Sequence, residues 1–466
     1  VGEFREFERC STTYVNGYLA PVMEEYLGAL VERLDGVPFE IMQSAGGTAS
    51  AERIASMPVR TLLSGPAAGV VGAAAVARES GWSRALTLDM GGTSADVSIL
   101  DGEITRAPSF SIGGIPVVCS SVLIETVGAG GGSLAAIDAG GALTVGPESA
   151  GADPGPACYG VGALPTVTDA NVTLGRIPGE LLGGGFPIDR GRAETALKGL
   201  AATMKVGVSE AAEGIVRVAN ATMERAIRAV SVRRGLDPAD FVLVCFGGAG
   251  GLHACEIADA LGVTAVLVPP APGVLSAYGL LCADAAEEIS RTVFLEPGDS
   301  EGIKRAMKGP AEEVAALLKK DGRGAGAVRL EKLADLRYVG QSYEISVPAG
   351  SGLVRRFHGE HERLYGHAEP EAEVEVVNVR VRGTRVNRDT PPPARAEMGG
   401  GFAGGGCEIW WRGRTFKGNA YAREELNRGD KLAGPCVVCE YSATTFLPPG
   451  WGGTVDRRLN LVLRPV

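Results

Sequence analysis

The sequence predicts an α/β protein, and three observations carry that reading. Two short apolar runs, Ala85–Leu88 and Phe241–Cys245, read as buried strands, and each runs straight into a glycine-rich loop. Segments such as Ala211–Arg234 and Leu252–Leu261 repeat apolar residues at helical spacing. Beyond Phe294 the pattern changes to period-two alternation, as in Val374, Val376 and then Val379, Val381, so the last third is β-rich.

In chain order, Ser11-Thr12-Thr13 reads as the cap of a helix from Tyr14 to Leu34, with Leu19, Val22, Met23, Tyr26, Leu27, Leu30 and Leu34 on one buried face. Phe39–Gln43 reads as a strand ending in Ser44-Ala45-Gly46-Gly47, and Val70–Arg78 as a small-residue helix entered through Ser64-Gly65-Pro66. Ala85–Leu88 and Val97–Leu100 read as a hairpin. A long glycine-rich stretch, residues 128–162, separates it from the helix near Ala211. The order strand, Gly-Gly turn, helix, small-residue helix occurs in both Phe39–Arg78 and Phe241–Leu281, which suggests two similar half-domains. Glu301–Lys320 reads as a charged helix, and Leu336–Val347, Val374–Val386, Pro435–Phe446 and Leu459–Leu463 as strands. Asp389–Gly406, rich in Pro and Gly, reads as an exposed connection.

Composition narrows the function. A chain of 466 residues has room for two or three domains, and 45% hydrophobic with 21% charged residues is ordinary for a soluble globular protein. Its 68 glycines are not ordinary, at about twice the usual ~7% share. They cluster between apolar runs, as turns and ligand loops do. A net charge of -10 without a Lys/Arg stripe argues against a nucleic-acid partner. No apolar stretch reaches the ~18–20 residues of a membrane span, and the N-terminus has no signal-peptide pattern. Nine scattered cysteines fit a reducing, cytoplasmic setting. Cys436-Val-Val-Cys439 lies within a strand-like stretch and has no second pair or nearby His, so it reads as core packing. His358, His361 and His367 read as part of a charged surface helix and its end.

The chemistry concentrates in two loops. In Asp89-Met90-Gly91-Gly92-Thr93-Ser94-Ala95-Asp96, glycines let the backbone close on an anion, with successive N–H groups cradling phosphate. Thr93 adds a hydroxyl donor beside Ser94, while Asp89 and Asp96 are placed to hold a hydrated Mg²⁺ or orient a water. In Gly247-Gly248-Ala249-Gly250, an adenosine would lie flat on bare backbone. Two strand-bounded loops of this kind predict a site that grips ATP. Asp169 reads either as a helix cap or as a site carboxylate, and His253 either as a core residue or as lining the cleft.

These segments resemble the hydantoinase/oxoprolinase family, which includes N-methylhydantoinase A, 5-oxoprolinase, and the acetone and acetophenone carboxylases. The resemblance runs through Ser11–Pro21 (STTYVNGYLAP), Ile41–Gly47 (IMQSAGG), Leu88–Ser98 (LDMGGTSADVS), Ser149–Gly160 (SAGADPGPACYG), Pro165–Leu174 (PTVTDANVTL), Phe246–Leu261 and Leu336–Val347 (LRYVGQSYEISV), in the expected order. It implies an acetate-kinase/hexokinase/actin-like fold built of two ribonuclease-H-like halves. On this basis residues 1–84 are the remainder of the first half, 85–293 the second half, and 294–466 a β-rich C-terminal domain. It also implies ATP-driven activation of a cyclic amide such as a hydantoin or 5-oxoproline. The γ-phosphoryl goes to the amide oxygen, making a species that water opens. The implied protein partners are further copies of the chain, in a homo-oligomer, and a B-type subunit. The alternatives are ketone carboxylation on the same ATP loops and a nucleotide-binding scaffold without turnover. Similar proteins carry a further Asp-x-Gly-Gly-Thr loop in an earlier subdomain. This sequence starts after it, so that half of the phosphate clamp is expected from a separate polypeptide or an upstream segment, if at all. Relatives also often carry Asp-Ile-His-Thr where this chain has Leu123-Ile124-Glu125-Thr126. Glu125, Asp169 and His253 are the residues left to form a mixed N/O site for a Zn or Mn ion beside the Mg²⁺ of ATP.

Overall fold

The computed structural model describes residues 2–37, 39–181, 185–320, 327–387 and 405–466. The chain packs as two units, each assembled from separated segments. One comprises Val1–Ala68, Arg106–Val122 and Leu280–Pro391, and the other Gly69–Thr105, Leu123–Gly279 and Pro392–Val466. The contiguous division at residues 84 and 293 is therefore not how the chain packs. The strand Ala285–Leu295 runs through the expected second boundary, and the C-terminal strands complete the sheet that begins at Arg84.

In the first unit a six-stranded sheet runs in the order Glu40–Met42, Thr48–Ser50, Ala285–Leu295, Val374–Arg385, Val328–Tyr338 and Ile345–Pro348. Its three long strands are antiparallel, but Val374–Arg385 does not keep the expected alternation: as the strand between the other two, it is buried at every residue from Val376 to Val381. The helix Ser300–Lys320 lays Ile303, Met307, Val314 and Leu318 on one face of this sheet. Buried Arg380 binds Glu3, Glu288 and Asp335 together. The helix Glu6–Arg33 starts earlier than expected, because Thr12 sits inside it and bonds back to the Glu8 carbonyl at 2.6 Å. Its buried face is also narrower than the spacing suggests. Leu27 is buried, whereas Tyr14, Tyr18, Val22 and Tyr26 are exposed. Asp389 to Gly404 of the expected connection lie outside the described residues. His361 is buried and its Nδ1–H donates to the His367 carbonyl at 2.7 Å, so this part of the helix Leu353–Tyr365 is core and not surface.

In the second unit the main sheet has a parallel centre. Arg84–Met90, Val242–Phe246 and Val266–Val268 lie side by side in one direction. Ala95–Asp101 and Ile124–Val127 extend it antiparallel on one side, and Leu461–Pro465, Trp451–Val455 and Lys431–Ala433 on the other. A central strand buried on both faces must be apolar throughout, and all five residues of Val242–Phe246 are buried. One face receives the helix Val208–Ser231 through Ile215, Ala219, Met223 and Ile227. The other receives Ala73, Ala74 and Ala77 of the small-residue helix. A smaller sheet, Gly405–Trp411, Arg414–Ala422, Cys436–Cys439 and Thr444–Leu447, contains both cysteines of the CxxC pair in its core. The suggested order occurs in both segments, as Glu40–Met42, Gly46-Gly47, Ala51–Ser56 and Ser64–Glu79, and as Val242–Phe246, Gly247-Gly248, Ala254–Leu261 and Leu275–Cys282. The two differ in the strand each adds: Thr48–Ser50 closes a hairpin in the first, and Val266–Val268 follows the helix in the second.

Close packing in the first unit yields a direct test. A Cβ at Gly383 would lie 2.7 Å from Leu318 and 3.2 Å from Leu330. Gly383→Val is expected to lower stability by about 1–3 kcal/mol through overpacking, read as a lower urea midpoint with an unchanged slope. An unchanged midpoint would contradict this packing.

Candidate functional site

The parallel strands Arg84–Met90 and Val242–Phe246 end at the same level, with Asp89 opposite Phe246. Ligands bind beyond the carboxyl ends of such strands, where the chain leaves the sheet. Asp89 also faces Asp96 across the antiparallel pair, with Met90 opposite Ala95 closing the turn. Directly opposed residues point to one face, so the two carboxyl groups are held side by side. Burial, and then the Asp96 charge, push the Asp89 carboxyl up to about 6. Burial also raises Asp96, against a 2.5 Å hydrogen bond donated to its Oδ1 by Thr126. Two oxygen-donor acids that burial keeps from ionising are held side by side. This donor set fits Mg²⁺, a hard cation that takes one or two carboxylates and keeps its waters.

Three glycine loops enclose the pair. The Gly91 N–H donates to the Ser94 carbonyl at 3.1 Å, which folds the first loop and leaves Gly91, Gly92 and Thr93 exposed at its tip. The second loop, Gly247-Gly248-Ala249-Gly250, is pinned by the Ala249 N–H donating to the Met90 carbonyl at 3.0 Å. Gly247 has φ +78°, and a Cβ there would strike the Asp89 carboxylate and come within 2.5 Å of the Met90 carbonyl. Only glycine allows that approach. A third loop, residues 128–132, completes the enclosure: the Gly131 and Gly132 N–H groups donate to the carbonyls of Gly91 and Gly92 at 3.0 and 2.6 Å. A Cβ at Gly130 would meet the Thr93 and Ser94 nitrogens at 2.6 Å. The helix Val167–Thr173 holds this loop from behind, with Thr168 N–H and Oγ1 both donating to the Gly131 carbonyl.

The structure thus gathers Asp89, Asp96, Gly91, Gly92, Thr93, Ser94, Gly247, Gly248 and Gly250. Thr126, Thr168 and the 128–132 loop join them. The run Gly128-Ala-Gly-Gly-Gly132 is conspicuous in the sequence, but nothing in its spacing says that it packs on Thr93.

The expected Glu125, Asp169 and His253 metal set does not form, and among the described residues no three His, Cys, Asp or Glu side chains are grouped to hold a metal. Glu125 is exposed on a strand whose alternation turns it away from Thr126 and Asp96. Asp169 is fully buried and spent on hydrogen bonds. It accepts from the N–H groups of Ala157, Cys158 and Thr166 and from Thr166 Oγ1, completing a capping box in which Thr166 is the cap. His253 is fully buried too: Nδ1 lies 2.6 Å from Asn220 Oδ1 and Nε2 3.4 Å from Asn171. Burial, and then the nearby Arg176 charge, press its pKa down to about 3, so it stays neutral. The Cys158 thiol is buried and pushed up by burial and by Asp169, which leaves it unreactive.

The Asp89 shift fixes the sign of a pH effect. A carboxyl that ionises at about 6 when folded and near 4 when unfolded stabilises the fold below pH ~4, and that contribution is lost as pH rises through ~6. Asp89→Asn should therefore be spared about 2–3 kcal/mol of the wild-type loss between those limits, measured by urea denaturation of the unliganded chain. Equal losses in the two proteins would contradict the shift.

A family model described as hydantoinase/oxoprolinase matches residues 9–289. The chain is 34% identical to the alpha subunit of the Pseudomonas jessenii caprolactamase, over 99% of this chain and 70% of that protein. The crystal structure of an ATP-dependent caprolactamase from Pseudomonas jessenii superimposes with a TM-score of 0.87 at 31% identity, over 99% of this chain and 71% of that one. A nucleotide-free acetone carboxylase superimposes with a TM-score of 0.78 at 25% identity, over 99% of this chain and 70% of that one. On the family match, the extent of these likenesses and the shared fold, the chain belongs to the hydantoinase/oxoprolinase family.

Proposed function

We propose that this chain is the A-type, ATP-using component of an enzyme that hydrolyses a cyclic amide. The observation that carries the proposal is the opposed Asp89–Asp96 pair inside three glycine loops, in a chain of which 99% aligns with 70% of the alpha subunit of a caprolactamase. An amide is a poor electrophile, and ATP supplies a phosphoryl group that turns its oxygen into a leaving group. The exposed backbone of Gly91, Gly92 and Thr93, with the Thr93 hydroxyl and Ser94, binds the phosphates. Asp89 and Asp96 hold Mg²⁺ through oxygen, and Thr126 fixes the Asp96 rotamer. Gly247, Gly248 and Gly250 carry the nucleoside end. The greater likeness to a caprolactamase than to acetone carboxylase favours a lactam over a ketone.

Ring opening with a B-type subunit, in a larger assembly, completes this reading. We place the enzyme in the cytoplasm, a placement that nine free thiols support. Among the described residues no helix is long and apolar enough to cross a membrane.

The test is phosphate release by the chain with any co-encoded B-type partner, offered caprolactam, 5-oxoproline and hydantoin, or acetone with bicarbonate. Release stimulated by a lactam and matched by ring-opened product is expected. Asp89→Asn and Asp96→Asn should each lower kcat by roughly a hundredfold or more, as loss of transition-state charge stabilisation does. Stimulation by acetone alone would move the function to ketone carboxylation. Full activity in both variants would remove the pair from the mechanism.

A further inference from the structure

The nucleoside end of the site has a wall made by a different part of the chain. The strands Val242–Phe246 and Val266–Val268 are parallel neighbours, so the segments that leave them, Gly247-Gly248 and Pro269–Gly273, emerge side by side. The Gly247 N–H donates to the Pro272 carbonyl at 3.0 Å, which joins the two. Against both lies the tip of the hairpin between Cys436–Cys439 and Thr444–Leu447, closed by the Glu440 N–H donating to the Ala443 carbonyl at 2.9 Å. A Cβ at Gly273 would sit 2.8 Å from the Ser442 Cβ and 3.1 Å from its carbonyl, and one at Gly248 would sit 3.2 Å from that same carbonyl. Both loops are pared to glycine where the hairpin tip touches them.

Two further features mark this junction as built. Ala271 adopts a left-handed conformation, φ +52°, that a non-glycine residue rarely takes. Its N–H is held by the buried Glu440 carboxylate at 3.0 Å, and Glu440 pairs with buried Arg423. The charged pair under the hairpin tip thus sets the shape of the loop that receives Gly247. Val274 and Tyr441, next in sequence to the touching Gly273 and Ser442, are 54% and 47% exposed. Tyr441 is the one strongly exposed aromatic side chain among the described residues of this unit.

We propose that the hairpin tip Glu440–Ala443 is the base-binding wall of the nucleotide site, with Tyr441 stacking on the purine and Val274 packing at its edge. The inference rests on the ATP reading above and adds the residues that select a nucleoside over bare polyphosphate. Glu440 is a positioning residue acting through Ala271. Stacking of a base on an aromatic ring is sequence-tolerant and needs no hydrogen-bond code, so ATP and GTP should both gain from Tyr441.

The experiment compares ATP with inorganic tripolyphosphate, each with Mg²⁺, by calorimetry on the wild-type chain and on Tyr441→Ala and Tyr441→Phe. The expected result is a loss of ATP affinity of roughly tenfold in Tyr441→Ala, restoration in Tyr441→Phe, and unchanged tripolyphosphate binding in all three. If wild type binds both ligands and Tyr441→Ala binds ATP as tightly, the wall is refuted while the phosphate site stands. Equal loss of both ligands in Tyr441→Ala would also refute it, by showing a general disturbance. If wild type binds neither ligand, the nucleotide reading itself fails and the wall falls with it.

Discussion

Everything at this site follows from two carboxyl groups, Asp89 and Asp96, held opposite each other at the end of a buried sheet. Burial disfavours ionisation of both, and the Asp96 charge raises Asp89 further. A fold built only for stability has no reason to carry such a pair without a cation. Under the proposed function, that cost is offset when a divalent ion and a polyanion are brought in together. The surrounding backbone must then come close enough to supply N–H groups and leave no room for side chains. The requirement explains why Gly247 abuts the Asp89 carboxylate and why Gly130 lies on the Thr93–Ser94 peptide.

The same constraint accounts for the groups that do not take part directly. Asp169 and His253 are a carboxylate and an imidazole near the proposed nucleotide site, and the residue types alone suggest a metal. Each is instead consumed in supporting a loop. Asp169 fastens the 157–158 backbone to the helix whose Thr168 carries Gly131. His253 begins the helix behind the Gly247 loop and is locked between Asn220 and Asn171. A buried, neutral imidazole with both ring nitrogens occupied has no lone pair left for an ion.

Much of this was legible in the sequence, and for physical reasons. The strands around both glycine loops are short, wholly apolar and bounded by turns, so their type and position follow from burial on both faces of a sheet. The Asp89-to-Asp96 spacing implies a tight hairpin, and a hairpin implies opposed side chains. What the sequence hid depends on contacts distant along the chain. The segments 69–105, 123–279 and 392–466 share a core that no local pattern announces. The exposed Val22, Tyr26 and Leu34 show the same limit, because helical spacing says that residues share a face and not whether anything covers it. The T-x-x-D pattern at Thr166–Asp169 is the one case where a closer local reading would have sufficed, since it is a capping box in form.

The most direct measurement of the acid pair's role is proton release on binding Mg²⁺-saturated ATP, by titration calorimetry in two buffers of different ionisation enthalpy. A carboxyl with a pKa of about 6 is half protonated at pH 6, so nucleotide binding there should release roughly half a proton, falling towards zero at pH 8. The release should fall markedly in Asp89→Asn, where only Asp96 is left to give up a proton. Binding with no release at pH 6, or with the same release in Asp89→Asn, would mean that the ion is held elsewhere and that the Asp89–Asp96 pair is not the centre of this site.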